Sequence, residues 1–165
     1  MNIKVKISRI NRSPNESPKT SWFNVPIAWE EVQKQLHLSG AHDEYVIVDY
    51  QAPFPISANS SLAQINHWFH LYQSITDPAI RRALPTLIRQ WFQNFEDLAT
   101  HSYRIKVHRQ LDYEELIYGL LQTGQLYGHI HPQIAAYLDI HALATDLLRQ
   151  KVFYIGDGVI FEYRA

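Results

Sequence analysis

The sequence predicts an α+β fold, and three observations lead to this class. Apolar residues alternate with polar ones over residues 2–10 and 103–109, as in strands with one buried face. Over residues 61–103 the apolar residues recur instead at helical spacing. Helical patterns and a hairpin pattern then complete the chain. We therefore predict an antiparallel sheet with one helix, a helical module, and a mixed module of sheet and helices.

Residues 1–60 are predicted to form a three-stranded antiparallel sheet with one helix. The strands are the alternating segments NIKVKISRI, SWFNV and EYVIVDY. The helix is indicated by the helical spacing of Trp29, Val32 and Leu36. Pro26 upstream and Gly40 downstream are its start and stop signals. Two prolines in QAPFPISANSS prevent further strand pairing, so the first boundary falls near residue 60.

The middle module, residues 61–103, is predicted to be helical. Ser61 with Gln64 forms a capping box for one helix, and Asp77 before Pro78 starts the next. The clearest helical stripe of the chain consists of Leu84, Leu87, Ile88, Trp91, Phe92 and Phe95. Pro85 lies inside this stripe and is expected to kink or restart the helix. A stripe of large aromatic side chains favours core packing over a ligand site.

Residues 104–165 are predicted to contain sheet and helices together. The strand YRIKVHR precedes a helix that is capped by Asp112 with Glu115 and ended by Gly124. Pro132 and Asp139 are placed to start two further short helices. The segment KVFYIGDGVIFEY is predicted to be a hairpin whose turn glycines adopt positive φ.

Composition and charge exclude several classes of protein. The 165 residues include 16 acidic and 15 basic side chains, which give a net charge of −1 and indicate neither a basic nucleic-acid binder nor an acidic protein. The absence of cysteine excludes disulfides, thiol nucleophiles and cysteine zinc sites. No apolar run approaches the ~20 residues that span a bilayer, and the N-terminus lacks a signal-peptide core. We therefore expect a cytoplasmic protein without membrane contact.

Motifs of the common enzyme classes do not occur. The sequence has no P-loop, no GxGxxG after a strand, no GxSxG elbow and no HExxH. The nearest approach to paired catalytic acids is the group Asp112, Glu114 and Glu115. At the first turn of a helix such carboxylates complement the helix dipole, which favours a structural role. We therefore predict a protein that is not an enzyme and uses no cofactor.

The stretch GHIHPQIAAYLDIH, residues 128–141, suggests a metal site at first sight. However, two histidines that are two residues apart supply at most two ligands, and a metal site needs a third and a fourth. Further ligands would have to converge from His108, Asp139 or His141. The pattern therefore favours the absence of a bound metal.

Several segments, in order along nearly the whole chain, resemble the ArdA antirestriction proteins. They are SWFNVPIAWEEV, DEYVIVDY followed by Pro53 and Phe54, SLAQIN, TGQL and AYLDIHALATDL. In the last segment Tyr137, Asp139, Asp146 and Leu147 keep the family pattern. No single motif is specific, so the resemblance rests on their collinear order.

The resemblance implies a function and an architecture. Members of this family are small inhibitors of type I restriction and modification enzymes, made by plasmids, transposons and phages. The implied molecule is an elongated chain of three small domains, expected at residues 1–60, 61–103 and 104–165, and it forms a homodimer. Its C-terminal domain carries the antirestriction segment and the subunit contact. Such a protein occupies the DNA-binding groove of the restriction enzyme and binds no nucleic acid directly.

The histidine stretch departs from the family pattern in a way that bears on metal binding. In the family the glycine equivalent to Gly128 is usually followed by glutamate, whereas His129 follows it here and His131 precedes Pro132. The histidines are therefore interpreted as a variation on a linker between helices.

Charge is the main departure from the family, whose members imitate the DNA phosphate backbone with strongly acidic surfaces. One ~34 Å turn of duplex carries about 20 negative charges, whereas here 16 acidic residues are opposed by 15 basic ones. The candidate partner-binding residues are therefore local acidic patches and positions of the family pattern: Asp43, Glu44, Asp49, Asp112, Glu114, Glu115, Tyr137, Asp139 and Asp146. The alternative function, favoured by the net charge, is a protein-binding regulator of the same fold that has lost DNA mimicry.

Overall fold

The computed structural model describes residues 2–10, 18–39, 45–109 and 112–164. Within these ranges the chain forms seven α-helices and two three-stranded antiparallel sheets. This arrangement confirms the predicted α+β class, while the division into three domains remains a prediction. None of the helices in these ranges is both long enough and apolar enough to cross a membrane.

The first sheet is built around a central strand with one buried face. It comprises β1 (Lys4–Arg9), β2 (Thr20–Asn24) and β3 (Tyr45–Gln51), in the order β2-β1-β3. Val5 and Ile7 of β1 are fully buried, whereas Lys6 points to the opposite, more open face. Ser21 lies opposite Ile7 in the register and donates a hydrogen bond to Gln35 at 2.7 Å. Helix α1 (Trp29–Leu36), which contains Gln35, therefore covers the buried face.

Helix α1 ends before the stop signal that the sequence suggested. Its C-cap is His37, in the left-handed conformation with a φ of 52°. The N–H of Leu38 then donates to the carbonyl of Gln33 at 3.1 Å. The prediction named Gly40 because glycine adopts this conformation without steric cost. Gly40 itself lies outside the described residues, and a histidine takes the left-handed position instead.

The middle of the chain is helical, as predicted. It consists of α2 (Leu62–Ser74), α3 (Pro78–Trp91), α4 (Phe95–His101) and a 3₁₀ turn (Ser102–Arg104). The side chain of Ser61 accepts a hydrogen bond from the N–H of Gln64 at 3.1 Å, and that of Asp77 accepts one from Ala79 at 2.8 Å. Both predicted helix starts are therefore confirmed.

The aromatic stripe predicted as one helical face is divided between two helices. Helix α3 ends at Trp91, and α4 begins at Phe95. The break occurs because the side chain of Asn94 accepts a hydrogen bond from the N–H of Asp97 at 2.9 Å, and such an N-cap starts a new helix. Pro85, expected to kink or restart the helix, lies within the continuous span of α3.

The C-terminal part pairs its first strand with its last. Its elements are β4 (Ile105–Arg109), α5 (Tyr113–Gln122), α6 (Pro132–Ala135), α7 (Ile140–Arg149), β5 (Phe153–Gly156) and β6 (Val159–Tyr163). The strand order is β4-β6-β5, with both pairs antiparallel. In the hairpin turn Asp157 and Gly158 have positive φ, whereas Gly156 ends β5. The prediction that glycines take these positions was wrong at the first one, where aspartate is also well suited.

The second sheet separates two hydrophobic cores. One core joins the first sheet to the middle helices and includes Ile105 and Phe161. The other packs α5 and α7 against Phe153 and Ile160. Because Ile160 and Phe161 are neighbours on β6, they point to opposite faces of the sheet. Helices α5 and α7 therefore lie on the side of this sheet that faces away from the middle helices.

Candidate protein-interaction surface

The first turn of α5 carries three of the predicted acidic residues. Asp112 is the N-cap, and its carboxylate accepts hydrogen bonds from the N–H groups of Glu114 and Glu115 at 2.9 and 3.3 Å. Both glutamates are exposed to solvent. Carboxylates are stabilised here because the helix dipole places partial positive charge at the N-terminus. The local sequence thus defines the helix start and also presents negative charge to solvent.

The first turn of α7 lies against that of α5. Asp139 caps α7 by accepting a hydrogen bond from the N–H of Ala142 at 2.9 Å. One residue into this helix, His141 Nδ1 lies 2.6 Å from Glu114 Oε1. This hydrogen bond raises the pKa of His141, and the negative charges of Glu114 and Asp139 act in the same direction. We call Asp112, Glu114, Glu115 and Asp139 the acidic surface.

Contacts between α5 and α7 beneath the acidic surface hold the two helix starts together. The hydroxyl of Tyr113 donates a hydrogen bond to the carbonyl of Ala144 at 3.1 Å, which ties α5 to α7. The ring of Tyr113 meets that of Phe153 edge to face, with centroids 5.6 Å apart. Burial raises the pKa of Tyr113 to about 12. Below it, Ile117 of α5 and Leu147 of α7 are fully buried in the shared core.

The segment between α5 and α7 exposes apolar side chains. Tyr137 is 91% exposed, and Tyr127, Ile134 and Leu138 are also exposed. An exposed apolar set of this kind in a small protein is typical of a protein-interaction surface. We call Tyr127, Ile134, Tyr137 and Leu138 the exposed apolar segment. It is connected directly to Asp139 and thus to the acidic surface.

The remaining predicted residues do not join the acidic surface. Asp49 lies on β3, opposite Lys6 in the register of the first sheet, and accepts a hydrogen bond from the N–H of Tyr50. Asp146 lies in the second half of α7, where Arg149 and Gln150 donate to its two oxygens. Its charge is therefore compensated locally. Asp43 and Glu44 lie outside the described residues, and their role remains a prediction.

The histidine stretch makes contacts typical of a connecting segment. The side chain of His131 accepts a weak hydrogen bond from the N–H of Gln133 at 3.4 Å and so caps α6. His141 pairs with Glu114 on another helix. Across residues 2–10, 18–39, 45–109 and 112–164, no three acidic or histidine side chains are grouped closely enough to hold a metal ion. The absence of metal remains a prediction.

Sequence reasoning missed the pairing of His141 with Glu114. The two residues are 27 positions apart, and no local pattern indicates that their helices pack side by side. The exposed apolar segment was also missed, apart from Tyr137. A signal for it is present, because Ile134, Tyr137 and Leu138 are crowded into a short stretch whose helix spans only four residues, too few to bury them all.

Comparison with known proteins agrees with the resemblance of the sequence segments. A family model described as antirestriction protein (ArdA) matches residues 15–161 of the chain. Comparison with curated proteins found no match. The matched span includes all seven helices, the strands β2 to β5 and the whole acidic surface, whereas β1 lies before it. The chain therefore belongs to the ArdA family of antirestriction proteins.

Proposed function

We propose that this protein inhibits a type I restriction and modification enzyme by placing its acidic surface in the DNA-binding groove of that enzyme. The observation that supports this proposal is local charge. Residues 112–148 contain five acidic residues and no lysine or arginine. Four of these acidic residues form the acidic surface at two adjacent helix starts. A basic groove that binds phosphates would therefore meet carboxylates on a segment that has no lysine or arginine of its own.

The helix starts also make the carboxylates suitable substitutes for phosphates. Asp112 and Asp139 are fixed by their capping hydrogen bonds, and Glu114 is held by His141. Groups that are already ordered lose less conformational entropy on binding than free surface side chains do. The acidic surface is thus a small, preorganised set of negative charges above the shared core of α5 and α7.

Its size limits the mimicry to a few phosphates. One turn of duplex carries about 20 charges, and the acidic surface has four carboxylates. A second copy of the chain, held through the exposed apolar segment next to Asp139, would add four more carboxylates to the complex.

A homodimer is part of the proposal. Two copies that associate through their exposed apolar segments would bury Tyr137, which is 91% exposed in the single chain. Dimerisation would also bring two acidic surfaces to one complex and double the number of carboxylates. Type I enzymes act on DNA inside the cell, so the proposed site of action is the cytoplasm.

The alternative is a regulator of the same fold that binds another protein without imitating DNA. The near-neutral net charge of −1 favours it, because a mimic relies on long-range attraction to a basic groove. Both functions use the same surface, but only the first predicts competition with DNA.

A competition assay distinguishes the two. A purified type I methyltransferase is bound to its labelled target duplex, and the protein is titrated into the complex. We expect displacement of the duplex at micromolar or lower concentrations. If the duplex remains bound at micromolar concentrations of the protein, the proposed function is wrong and the alternative, a regulator of a different protein, is favoured.

A further inference from the structure

A groove between α2, α3 and the segment after β3 combines apolar walls with two arginines. It has a volume of about 600 Å³ and is lined by Pro53, Tyr72, Pro78, Arg81, Arg82 and Pro85. These residues come from the segment after β3, from α2 and from the first half of α3. We call it the arginine groove. None of its lining residues belongs to the acidic surface or to the exposed apolar segment.

Arg81 is held in a fixed orientation at the groove. Its Nε and Nη2 donate to the carbonyls of Ile75 and Gln73 at 2.5 and 2.9 Å. Its guanidinium carbon lies 5.1 Å from the centroid of the Tyr72 ring, within the range of a cation–π contact. These contacts cap the end of α2, so the guanidinium is ordered before any ligand binds.

Arg82 supplies a second, uncompensated charge. It is exposed, and no acidic side chain within the described ranges forms an ion pair with it. The nearest acidic residue in sequence, Asp77, is occupied by Arg109, whose Nη2 lies 2.7 Å from both carboxylate oxygens. No acidic residue lines the groove, and helix α3 contains none.

The apolar residues that line the groove limit which ligands the two guanidinium groups can bind. Three of the six lining residues are prolines, which have no N–H donor and offer only rigid apolar rings. A carboxylate that enters such surroundings is partly removed from water, so its bidentate bonds to arginine become stronger. The neighbours of that carboxylate must be apolar to contact the proline and tyrosine rings.

We propose that the arginine groove binds an acidic peptide segment of another protein, in which carboxylates alternate with apolar side chains. A nucleic-acid backbone fits less well, because its binding requires a row of cations that neutralise successive phosphates, whereas this site is largely apolar and has two arginines. The proposal is independent of the proposed function, since the acidic surface lies on different elements.

The test uses the full chain and a fluorescein-labelled decapeptide of alternating leucine and glutamate, followed by fluorescence anisotropy. We expect saturable binding with a Kd of roughly 10 to 100 μM. The same peptide with glutamine in place of glutamate should bind at least about tenfold more weakly, because the charge-assisted bonds are lost. Equal binding of the two peptides, or no saturation up to about 1 mM, would overturn the proposal.

Arginine variants distinguish binding in the arginine groove from nonspecific attraction to basic charge. Arg82→Gln should weaken peptide binding about tenfold or more. The matched control is Arg89→Gln, which removes another exposed arginine of α3, seven residues further along and outside the groove lining. Its effect should stay within about twofold. Circular dichroism checks that each variant is folded. Arg82→Lys keeps the positive charge but lacks the planar guanidinium group, so its affinity for the peptide should be intermediate.

Two other occupants are tested in the same experiment. If a labelled DNA duplex binds more tightly than the peptide and both arginine variants weaken it equally, the surface is a phosphate contact and the proposal fails. If Arg82→Gln converts an oligomer of the chain to a monomer in sedimentation, the occupant is a second copy. Binding of the peptide that depends on Arg82 and not on Arg89, with the oligomeric state unchanged, supports the proposal.

Discussion

Residues 1–110 and residues 111–165 carry opposite net charge. The first part contains twelve basic and nine acidic residues, and the second contains three basic and seven acidic ones. The overall charge of −1 is therefore the sum of a basic part and an acidic part. At physiological salt, charges farther apart than ~8 Å are largely screened from one another. A partner at the C-terminal end therefore responds to the local charge, and the net charge of the chain is a poor guide to mimicry.

Asp77 in the first part differs in its partners from the carboxylates of the acidic surface. In the first part, Asp77 is paired with Arg109. Burial would raise the pKa of Asp77, but the hydrogen bonds from Arg109 and from the N–H of Ala79 outweigh it and lower that pKa. In the acidic surface, Asp112 accepts hydrogen bonds from neutral N–H groups, and the partner of Glu114 is His141, which is neutral above its pKa. The comparison shows where negative charge remains available to a partner.

Removing charge from the acidic surface should have the largest effect. We expect the double variant Glu114→Gln, Glu115→Gln to displace DNA from a type I methyltransferase about 100-fold less effectively, because two charge-assisted contacts are lost. The measurement is the concentration of protein that releases half of a labelled duplex.

The matched control is a pair of acidic residues in the basic part. Glu30 and Glu31 are exposed in the first turn of α1, as Glu114 and Glu115 are in α5. Glu30→Gln, Glu31→Gln should leave displacement within about twofold. Equal losses from both double variants would show that overall charge matters and that the contrast between the two parts does not.

The second prediction concerns the dimer. We expect Tyr137→Ala to weaken self-association about 30-fold, since a buried aromatic residue at an interface contributes about 2 kcal/mol. Tyr103→Ala is the control, because Tyr103 is 75% exposed in the other part of the chain. Sedimentation equilibrium measures both. An unchanged dimer in Tyr137→Ala, or a dimer lost in Tyr103→Ala, would place the contact elsewhere.

A change of pH should have a smaller effect on the displacement of DNA. Because the pKa of His141 is raised by Glu114, protonation begins above the ordinary value of ~6.5 as the pH falls. The positive charge then offsets Glu114, so DNA displacement should decline several-fold from about pH 8 to about pH 6. His141→Gln should flatten this decline. A steeper decline in the variant would contradict the role of His141.

Protonation of His141 should also change the stability of the fold, in the opposite direction to its effect on DNA displacement. A raised pKa in the folded state means that folding favours the protonated form. The resulting stabilisation is complete below the unfolded pKa of ~6.5 and is lost as the pH rises through the folded pKa. Lower pH should thus slightly stabilise the contact between α5 and α7 while it weakens displacement of DNA. Thermal melts of the parent and of His141→Gln across this range measure the effect.

The smallest effect is expected from the histidine stretch. The variant His129→Ala, His131→Ala should melt within about 1 °C of the parent, because both side chains are exposed and surface substitutions are usually close to neutral. Protein purified without chelator should contain less than one equivalent of zinc, nickel or iron. A stoichiometric metal that this variant loses would show that the interpretation as a linker is wrong.

Local sequence determined most elements of this protein. The starts of α2, α3, α5 and α7 follow from Ser61, Asp77, Asp112 and Asp139, whose side chains bond to the next turn of their own helix. The burial of Val5 and Ile7 on one face of β1 follows from alternation. These features were predictable because the interacting atoms are only a few residues apart. Predictions were wrong where two local signals competed, as at Asn94, whose cap interrupts a continuous apolar stripe.

Tertiary structure alone decided which acidic residues lie close together. The sequence could not distinguish Asp49, which faces Lys6 across a sheet, from Asp139, which joins the start of α5 through His141. The distinction arises because α5 and α7 pack against one core on the same face of the second sheet. Contacts between residues far apart in the chain depend on how whole elements pack, and no local pattern encodes that choice.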